Sequence, residues 1–348
     1  MKIGFIVNDV GTEQAGYTTT HLAMAASRMG HDAWYISISD LCYGPGEHIH
    51  ATARQVRDTN HRLSQAYLHD LQSRDAVCEF VDVSELDVLM LRNDPAEDVI
   101  RRPWARLAGI NFGRFAAGRG VLVVNDPDGL SRAVNKLYLQ GFPSRVRPRA
   151  FISRDRKKLK AFLNEMGGTA VLKPLFGSGG QNVFLVRPDD APNVNQIIEA
   201  VSRDGFIIAQ EYLPEVVHGD VRLFLLNGKP LRYKQHYACI RRLRSNGDIR
   251  SNLTAGGKSA PATVNEDMLQ LVDCVGPKLV RDGMFLVGLD IVGDKLMEIN
   301  VFSPGGLESA EDFTGVRFSR MVIEDLERKL EAIKNSTETL MNRELAAL

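Results

Sequence analysis

At 348 residues, with 44% hydrophobic and 25% charged side chains, the chain has room for two or three packed cores, which excludes the disordered and fibrous classes. Its 43 basic and 43 acidic residues cancel, so no global bias points to nucleic acid or to an anionic membrane, and any basic site must be local. Cys42, Cys78, Cys239 and Cys274 stand far apart with no C-x-x-C pair, which predicts free thiols in a reducing compartment and hence a cytoplasmic protein.

The first segment, KIGFIV (2–7), reads as a buried strand too short for a signal-peptide core, and every longer apolar run is broken by charge before it reaches membrane-spanning length. The expectation is a protein neither secreted nor membrane-spanning. TTTHLAMAASRMG (18–30) predicts a helix stopped by Gly30, and DAWYISI (32–38) the next strand. LDVLMLR (86–92) and GVLVVND (120–126) add two strands of the fully buried type around a helical stretch near 103–118. Residues 1–125 therefore read as a doubly wound parallel-sheet domain of the α/β class. No G-x-G-x-x-G turn follows the first strand, so a dinucleotide role has little support.

From 126 onward the pattern shortens. DPDGLSRAVNKLYLQGFP predicts a helix entered through Asp-Pro and stopped near Gly141. TAVLKPL and NVFLVRP then alternate as strands with helices near 155–166 and 192–203, a small α+β module over 126–205. Residues 206–348 form a third part: FIIAQEYLP, a strand pair turning at Asn227-Gly228, the hairpin FLVGLDIVGDKLMEINVFS (285–303), and an amphipathic closing helix from 319.

Several stretches carry chemistry. Lys173 stands in a strand that runs into Gly177, Ser178, Gly179 and Gly180, a pattern that fits either a hairpin tip or a backbone cradle for phosphate with a lysine as point charge. It is not a Walker A loop, since no Gly-Lys-Ser/Thr opens a helix. The strand end Gln210-Glu211-Tyr212-Leu213, released from its sheet by Pro214, frees backbone groups of the kind that read an adenine edge. Residues 240–261 gather Arg241, Arg242, Arg244, Arg250 and Lys258 among glycines, which suits a lid over polyphosphate as well as a solvated loop; no aromatic lies there to stack on bases, so no nucleic-acid partner is expected. Neither H-E-x-x-H nor G-x-S-x-G occurs, so zinc and covalent-nucleophile chemistry are unsupported.

In the last hairpin Glu298 and Asn300 are two apart and share a strand face. A two-residue turn at Gly293-Asp294 would put Asp290 on the opposite face, whereas a three-residue connection from Gly293 to Lys295 would pair Asp290 with Glu298. The longer connection is expected, because two carboxylates and an amide on one face make an oxygen donor set for Mg2+ or Mn2+.

Taken in order, LRNDP (91–95), NKLY (135–138), LKPLFGSGG (172–180), AQEYLP (209–214), RSNLTAGGK (250–258) and GLDIVGDKLMEINVFSP (288–304) resemble the ATP-grasp family, and within it the bacterial glutathione synthetases, over nearly the whole chain. The resemblance implies an ATP-grasp fold with an N-terminal α/β substrate domain, a small central α+β lid domain and a C-terminal α+β domain. It implies that Lys136 and Lys173 hold ATP phosphates, that Gly177, Ser178, Gly179 and Gly180 form the phosphate loop, that Gln210, Glu211, Tyr212 and Leu213 line the adenine, and that Asp220 meets the ribose. Asp290, Glu298 and Asn300 would hold two Mg2+ ions, with Mn2+ as an alternative. Arg222 and Arg242 would stabilise the transferring phosphoryl group, and Arg250 with Gly256 and Gly257 would close the lid over the substrates. Arg92 and Thr18, Thr19 and Thr20 would bind the acid substrate.

The implied reaction is ATP-dependent joining of a carboxylate to an amine through an acyl phosphate, with glutathione synthesis first in line. A related amino-acid or peptide ligase is the alternative, and a non-catalytic ATP-binding protein the alternative of another class. The implied partners are a small or short-peptide acid, an amino-acid amine and further copies of the chain. Departures from the family fall at VGTEQAGYTTT (10–20) and FSPGGLES (302–309), where substrates would be chosen.

Overall fold

The computed structural model describes residues 1–99, 101–177, 180–203, 205–243, 257–336 and 340–348. The first sheet holds β1 (Lys2–Val7), β2 (Asp32–Tyr43), β3 (Ile49–Gln55), β4 (Val77–Asp82), β5 (Val88–Leu91) and β6 (Leu122–Val124), in the order β4-β3-β2-β1-β5-β6. The strands β2, β1, β5 and β6 are parallel, as expected for a doubly wound domain. β3 and β4 instead extend the sheet as an antiparallel meander that the sequence reading lacks. The reason is physical: β4 is largely solvent-facing and carries no buried run to betray it. Helix α1 (Thr18–Arg28) follows β1. The chain passes from β1 to β2 on one side and later to β5 on the other, so a crevice opens at the carboxyl ends of β1 and β5 where the strand order reverses.

The long helix expected after Asp126 is two pieces. Asp126 caps a short helix, Pro127–Arg132, by accepting N–H bonds from Asp128 and Gly129 at 3.0 and 2.9 Å. Asn135 then opens a separate 3-10 turn, Lys136–Gly141, by accepting the Leu137 N–H at 2.9 Å. A side chain that offers the backbone a local acceptor competes with helix continuation, and here it interrupts it.

The central sheet consists of β7 (Ala150–Ser153), β8 (Ala170–Pro174), β9 (Phe184–Val186) and β10 (Ile207–Glu211), ordered β7-β10-β8-β9 and antiparallel throughout. β10, placed by the sequence reading in the third part beginning at 206, lies in the middle of this sheet. Strand character is local, whereas the partner of an antiparallel strand is not.

The third sheet is built on β11 (Asp220–Leu226). A two-residue turn with Asn227 and Gly228 both at positive φ joins it to β12 (Lys229–Pro230), the type I′ geometry that Asn-Gly favours. A short ribbon of β13 (Arg232–Tyr233) and β14 (His236–Tyr237) leads to β15 (Cys239–Leu243), β16 (Lys258–Pro261), β17 (Leu286–Val292) and β18 (Lys295–Asn300), ordered β16-β15-β11-β17-β18.

Buried Asn125, at the end of β6, welds the first sheet to the third. Its Oδ1 accepts the N–H groups of Phe285 and Leu286 at 2.7 and 2.9 Å, and its Nδ2 donates to the carbonyls of Leu286 and Val301 at 3.1 and 2.5 Å. Both donors and both acceptor sites of the amide are used, which makes the burial tolerable and fixes both ends of the β17–β18 hairpin against the N-terminal domain. Among the described residues no helix is long and apolar enough to cross a membrane, and all four cysteines are free.

Candidate active site

In the β17–β18 hairpin Asp290 is the cross-strand partner of Glu298, as the sequence reading expects, but the connection does not have the three residues assigned to it. Val292 pairs with Lys295 across a two-residue turn, Gly293-Asp294, with Gly293 at φ +58°. Ile291 then pairs with Leu296, and the register slips so that Met297 is an extra residue on β18. This bulge restores the pairing of the two acids, and re-aiming a side chain next to a functional site is what bulges commonly do.

Asp290 is 1% exposed and its oxygens are committed. Arg222, on the neighbouring strand β11, forks onto it with Nε to Oδ1 and Nη2 to Oδ2, both at 2.8 Å. Arg242 Nη2 stands 2.6 Å from the same Oδ2, and Asn300 Nδ2 donates to it at 3.1 Å. Burial works to raise the carboxyl of Asp290, and Arg222 and Arg242 outweigh it and hold it below the usual range. Asp220, fully buried, accepts Arg242 Nε and Nη2 at 2.9 and 2.6 Å. Two arginines and two aspartates thus close on one another. Arg222 Nη1 has a third partner, the carbonyl of Gly305, at 3.1 Å.

Between the central and third sheets lies a cleft of about 880 Å³, part of it open to solvent. Its central-sheet wall carries Lys173, Ile208 and Gln210. Lys173 and Ile208 are direct cross-strand partners and Gln210 is two residues on, so all three share a face. The opposite wall carries Met297, Glu298, Ile299 and Asn300, and Lys136 lies between the walls. Lys136 donates its Nζ to the carbonyl of Gly177 and stands 3.7 Å from Glu298 Oε1, while its backbone N–H donates to Leu175 O at 3.1 Å. Burial lowers Lys173 to about 8, with Glu298 pulling it up and Lys136 pushing it down. Two ammonium groups, Lys136 and Lys173, with the carboxylates of Asp94 and Glu298, the amides of Gln210 and Asn300 and apolar walls make a cleft that can take a polyanion bearing an apolar group.

Gly177 and Gly180 take φ of +120° and +72°, conformations that favour glycine; Ser178 and Gly179 lie outside the described residues. Glu211 remains in the sheet, its N–H bonded to Arg149 O at 2.8 Å and its Oε2 accepting Arg149 N–H at 2.9 Å. Tyr212 and Leu213 lie beyond the strand and pack with Val216, Val292 and Met297. Asp220 turns no surface to the cleft, so the ribose contact implied for it has no support in this geometry; Arg242, 22 residues on, claims it. Arg244, Arg250 and Gly256 lie outside the described residues, and Gly257 directly precedes β16.

A divalent ion takes hard oxygen donors. The Glu298 carboxylate, 39% exposed, and the Asn300 amide oxygen open on the cleft and fit one, whereas the oxygens of Asp290 are occupied by the two arginines. Among the described residues no group of three or more Asp, Glu, His or Cys side chains gathers as a metal site.

Arg92 follows β5 and is 4% exposed; its Nε donates to Thr19 Oγ1 at 3.2 Å. Thr18 Oγ1 accepts the N–H of Leu307 at 3.5 Å, joining this region to the loop that holds Gly305. Glu13, which the sequence reading does not single out, stands close to Arg92: burial pushes its carboxyl up to about 7, with Arg92 acting against the rise and Glu97 adding to it. Glu13 is one of two acids, with Asp9, in the loop after the first strand, and nothing local sets it apart.

Residues 1–131 match the family described as prokaryotic glutathione synthetase, N-terminal domain, and residues 135–315 match its ATP-grasp domain. Similar proteins include the glutathione synthetase of Gloeobacter violaceus, 36% identical over 91% of this chain and 93% of the relative, and that of Vibrio vulnificus, 31% identical over 95% and 99%. Among solved structures, a D-cycloserine synthetase superposes with a TM-score of 0.62 at 17% identity, covering 93% of this chain and 99% of the other, which bears on the fold alone.

Proposed function

This chain belongs to the prokaryotic glutathione synthetase family, and we infer that it is an ADP-forming carboxylate–amine ligase that joins γ-glutamylcysteine to glycine. The observation that carries this reading is the pair of walls facing across one cleft, Lys173 and Gln210 on one side, Glu298 and Asn300 on the other, with Lys136 between them. In the proposed reaction the γ-phosphoryl group leaves ADP for the substrate carboxylate, the amine nitrogen attacks the acyl carbon, and phosphate and a proton depart. Such chemistry needs positioning, charge neutralisation and exclusion of water rather than a protein nucleophile.

Lys136 and Lys173 hold the phosphates, and Gly177, Ser178, Gly179 and Gly180 serve as the phosphate loop. Gln210, Glu211, Tyr212 and Leu213 border the adenine, and Ile208 and Met297 pack against it. Arg222 and Arg242 face the charge that develops on the transferring group. Asp220 positions Arg242. The family works on ATP with a divalent metal, which neutralises phosphate charge when bound. We propose two Mg2+ ions, replaceable by Mn2+, held by Glu298 and Asn300; Asp290 is the third oxygen ligand on the condition that Arg222 and Arg242 release it. Residues 1–125 act as the substrate part, 126–211, which include β10, as the lid, and the rest of the chain to 348 as the catalytic part, with Arg250, Gly256 and Gly257 in the closing segment. Arg92 with Thr18, Thr19 and Thr20 takes the acid.

Four free thiols support a cytoplasmic location. Exposed Tyr43, Phe80 and Phe115 near the outer strands of the first sheet support a homo-oligomer, checked by light scattering after gel filtration.

The test is ADP release with MgATP, γ-glutamylcysteine and glycine, each withheld in turn, with the product weighed by mass spectrometry. Release that requires all three, with glutathione formed, is the expected result. Phe302 lines the cleft within the stretch 302–309 that departs from the family resemblance, and this favours a second reading in which the amine differs. Release only with another amino acid would establish that reading, and no release with any acid would overturn the ligase.

A further inference from the structure

Two buried polar atoms at the carboxyl end of the first sheet have no hydrogen-bond partner among the described residues: Arg92 Nη2 and Glu13 Oε2. Buried polar groups are ordinarily paired, and an unmatched cation beside an unmatched anion calls for an explanation. Arg92 reaches Thr19 with Nε yet does not hydrogen-bond Glu13 with Nη2. Each is left with one face uncommitted.

Their place in the fold gives the explanation a direction. Glu13 and α1 follow β1, and Arg92 follows β5, so the orphaned groups border the crevice where the strand order reverses, the position at which open α/β sheets bind ligands. The first turn of α1 adds to this. It contains no acidic residue, and its cap residue Tyr17 makes no side-chain capping bond, so the N–H groups and the positive end of the helix dipole are available to an anion. The crevice also communicates with the reacting centre. Asp94, two residues beyond Arg92, lines the ATP cleft, and the 305–307 loop touches Arg222 through Gly305 and α1 through Leu307.

We propose that Glu13 and Arg92 form a subsite for the zwitterionic amino-acid head of the acid substrate, Arg92 Nη2 and the first turn of α1 taking its α-carboxylate and Glu13 Oε2 its α-ammonium. The substrate's second carboxylate then extends toward Arg222 and Asn300, where it is activated. This rests on the ligase reading and adds what selects the acid: a free α-amino group. Glu13 is a specificity residue, remote from the reacting atoms.

Binding separates the two claims, because it does not require turnover. Calorimetry would compare γ-glutamylcysteine with glutaryl-cysteine, which lacks only the α-amino group, on the wild-type chain and on Glu13→Gln. The wild type is expected to bind the zwitterion at least about tenfold more tightly, the effect of one charge-assisted hydrogen bond in a partly buried site. Glu13→Gln should shrink that preference to within about threefold by weakening γ-glutamylcysteine alone. Arg92→Lys should weaken both ligands, since both keep the α-carboxylate. Circular dichroism confirms that each variant is folded, and Glu13→Ala serves as a second removal of the carboxylate. An unchanged preference in both Glu13 variants, or a wild type indifferent to the amino group, overturns the subsite and reduces these atoms to a solvated polar pair. Discrimination without ADP release would leave the subsite standing and overturn the ligase reading instead.

Discussion

Two sets of buried charges, made of the same kinds of residue, flank the route from the first sheet to the ATP cleft, and they are finished differently. Around Asp290 every charge is answered: Arg222 forks onto Asp290, Arg242 is shared between Asp290 and Asp220, and Asn300 and the Gly305 carbonyl fill remaining positions. Around Arg92 the guanidinium and the Glu13 carboxylate each keep an atom with no hydrogen-bond partner among the described residues. A saturated cluster holds the β11–β17 pair and the arginine heads in place, while an unsaturated one keeps binding capacity for something that arrives later. The contrast makes separable claims about stability and about ligands.

The largest effect is expected where saturation is removed. Asp290→Asn takes away the carboxylate that Arg222 and Arg242 share, leaving Arg242 to Asp220 and Arg222 with no carboxylate among its hydrogen-bond partners. Breaking a buried ion pair from one side costs about 3 to 5 kcal/mol, and the denaturation midpoint should fall accordingly, with ADP release lost as well. An Asn variant of wild-type stability would mean that the cluster is loosely solvated and the contrast wrongly drawn.

Glu298→Gln probes the same hairpin from its open side. Its carboxylate is half-exposed and its ion pair with Lys136 is long, so stability should stay within about 0.5 kcal/mol of wild type. Loss of a charge at the phosphoryl-transfer site should nonetheless slow ADP release by about 100-fold or more. Equal activity would remove Glu298 from the metal site. Lys173→Met, on the facing wall, should weaken ATP binding by about tenfold or more while leaving acid binding unchanged, read by calorimetry with each ligand alone.

How much of this was legible in the sequence depends on the reach of each signal. The pairing of Asp290 with Glu298 is expected from the oxygen donor set it completes, but alternation cannot separate a three-residue connection from a two-residue turn followed by a bulge, and Met297 provides the bulge. The strand at 207–211 was readable from its own residues, while its place between β7 and β8 depends on partners up to about 60 residues away. The family resemblance gives Asp220 to the ribose, and nothing local in the sequence shows that Arg242 covers it. Lys136, Lys173, Gln210, Glu298 and Asn300 are grouped by the family resemblance, which no single local pattern supplies, and the fold brings them to one cleft. Glu13 was not legible, because its burial depends on Arg92, 79 positions later.

The smallest effect tests the unsaturated cluster without any ligand. A carboxyl raised to about 7 in the folded chain, against 4.5 for the free side chain, binds more protons folded than unfolded between those values. Stability should therefore fall as pH rises from about 4.5 to 7 and level off above, the reverse of a salt-bridged carboxylate. Arg92 opposes the shift, and Glu97, Tyr17 and Tyr35 are the other ionisable groups that act on Glu13 or respond to it. Glu13→Gln imitates the protonated form, so it should match the wild type at pH 5 and melt about 2 °C higher at pH 8, a shift in keeping with a change near 1 kcal/mol. Adding γ-glutamylcysteine at pH 8 should close the gap, because an ammonium against Oε2 makes the ionised carboxylate the favoured state. A pH-independent difference between the two proteins would show that Glu13 is already matched within the chain, and the two clusters would then be alike.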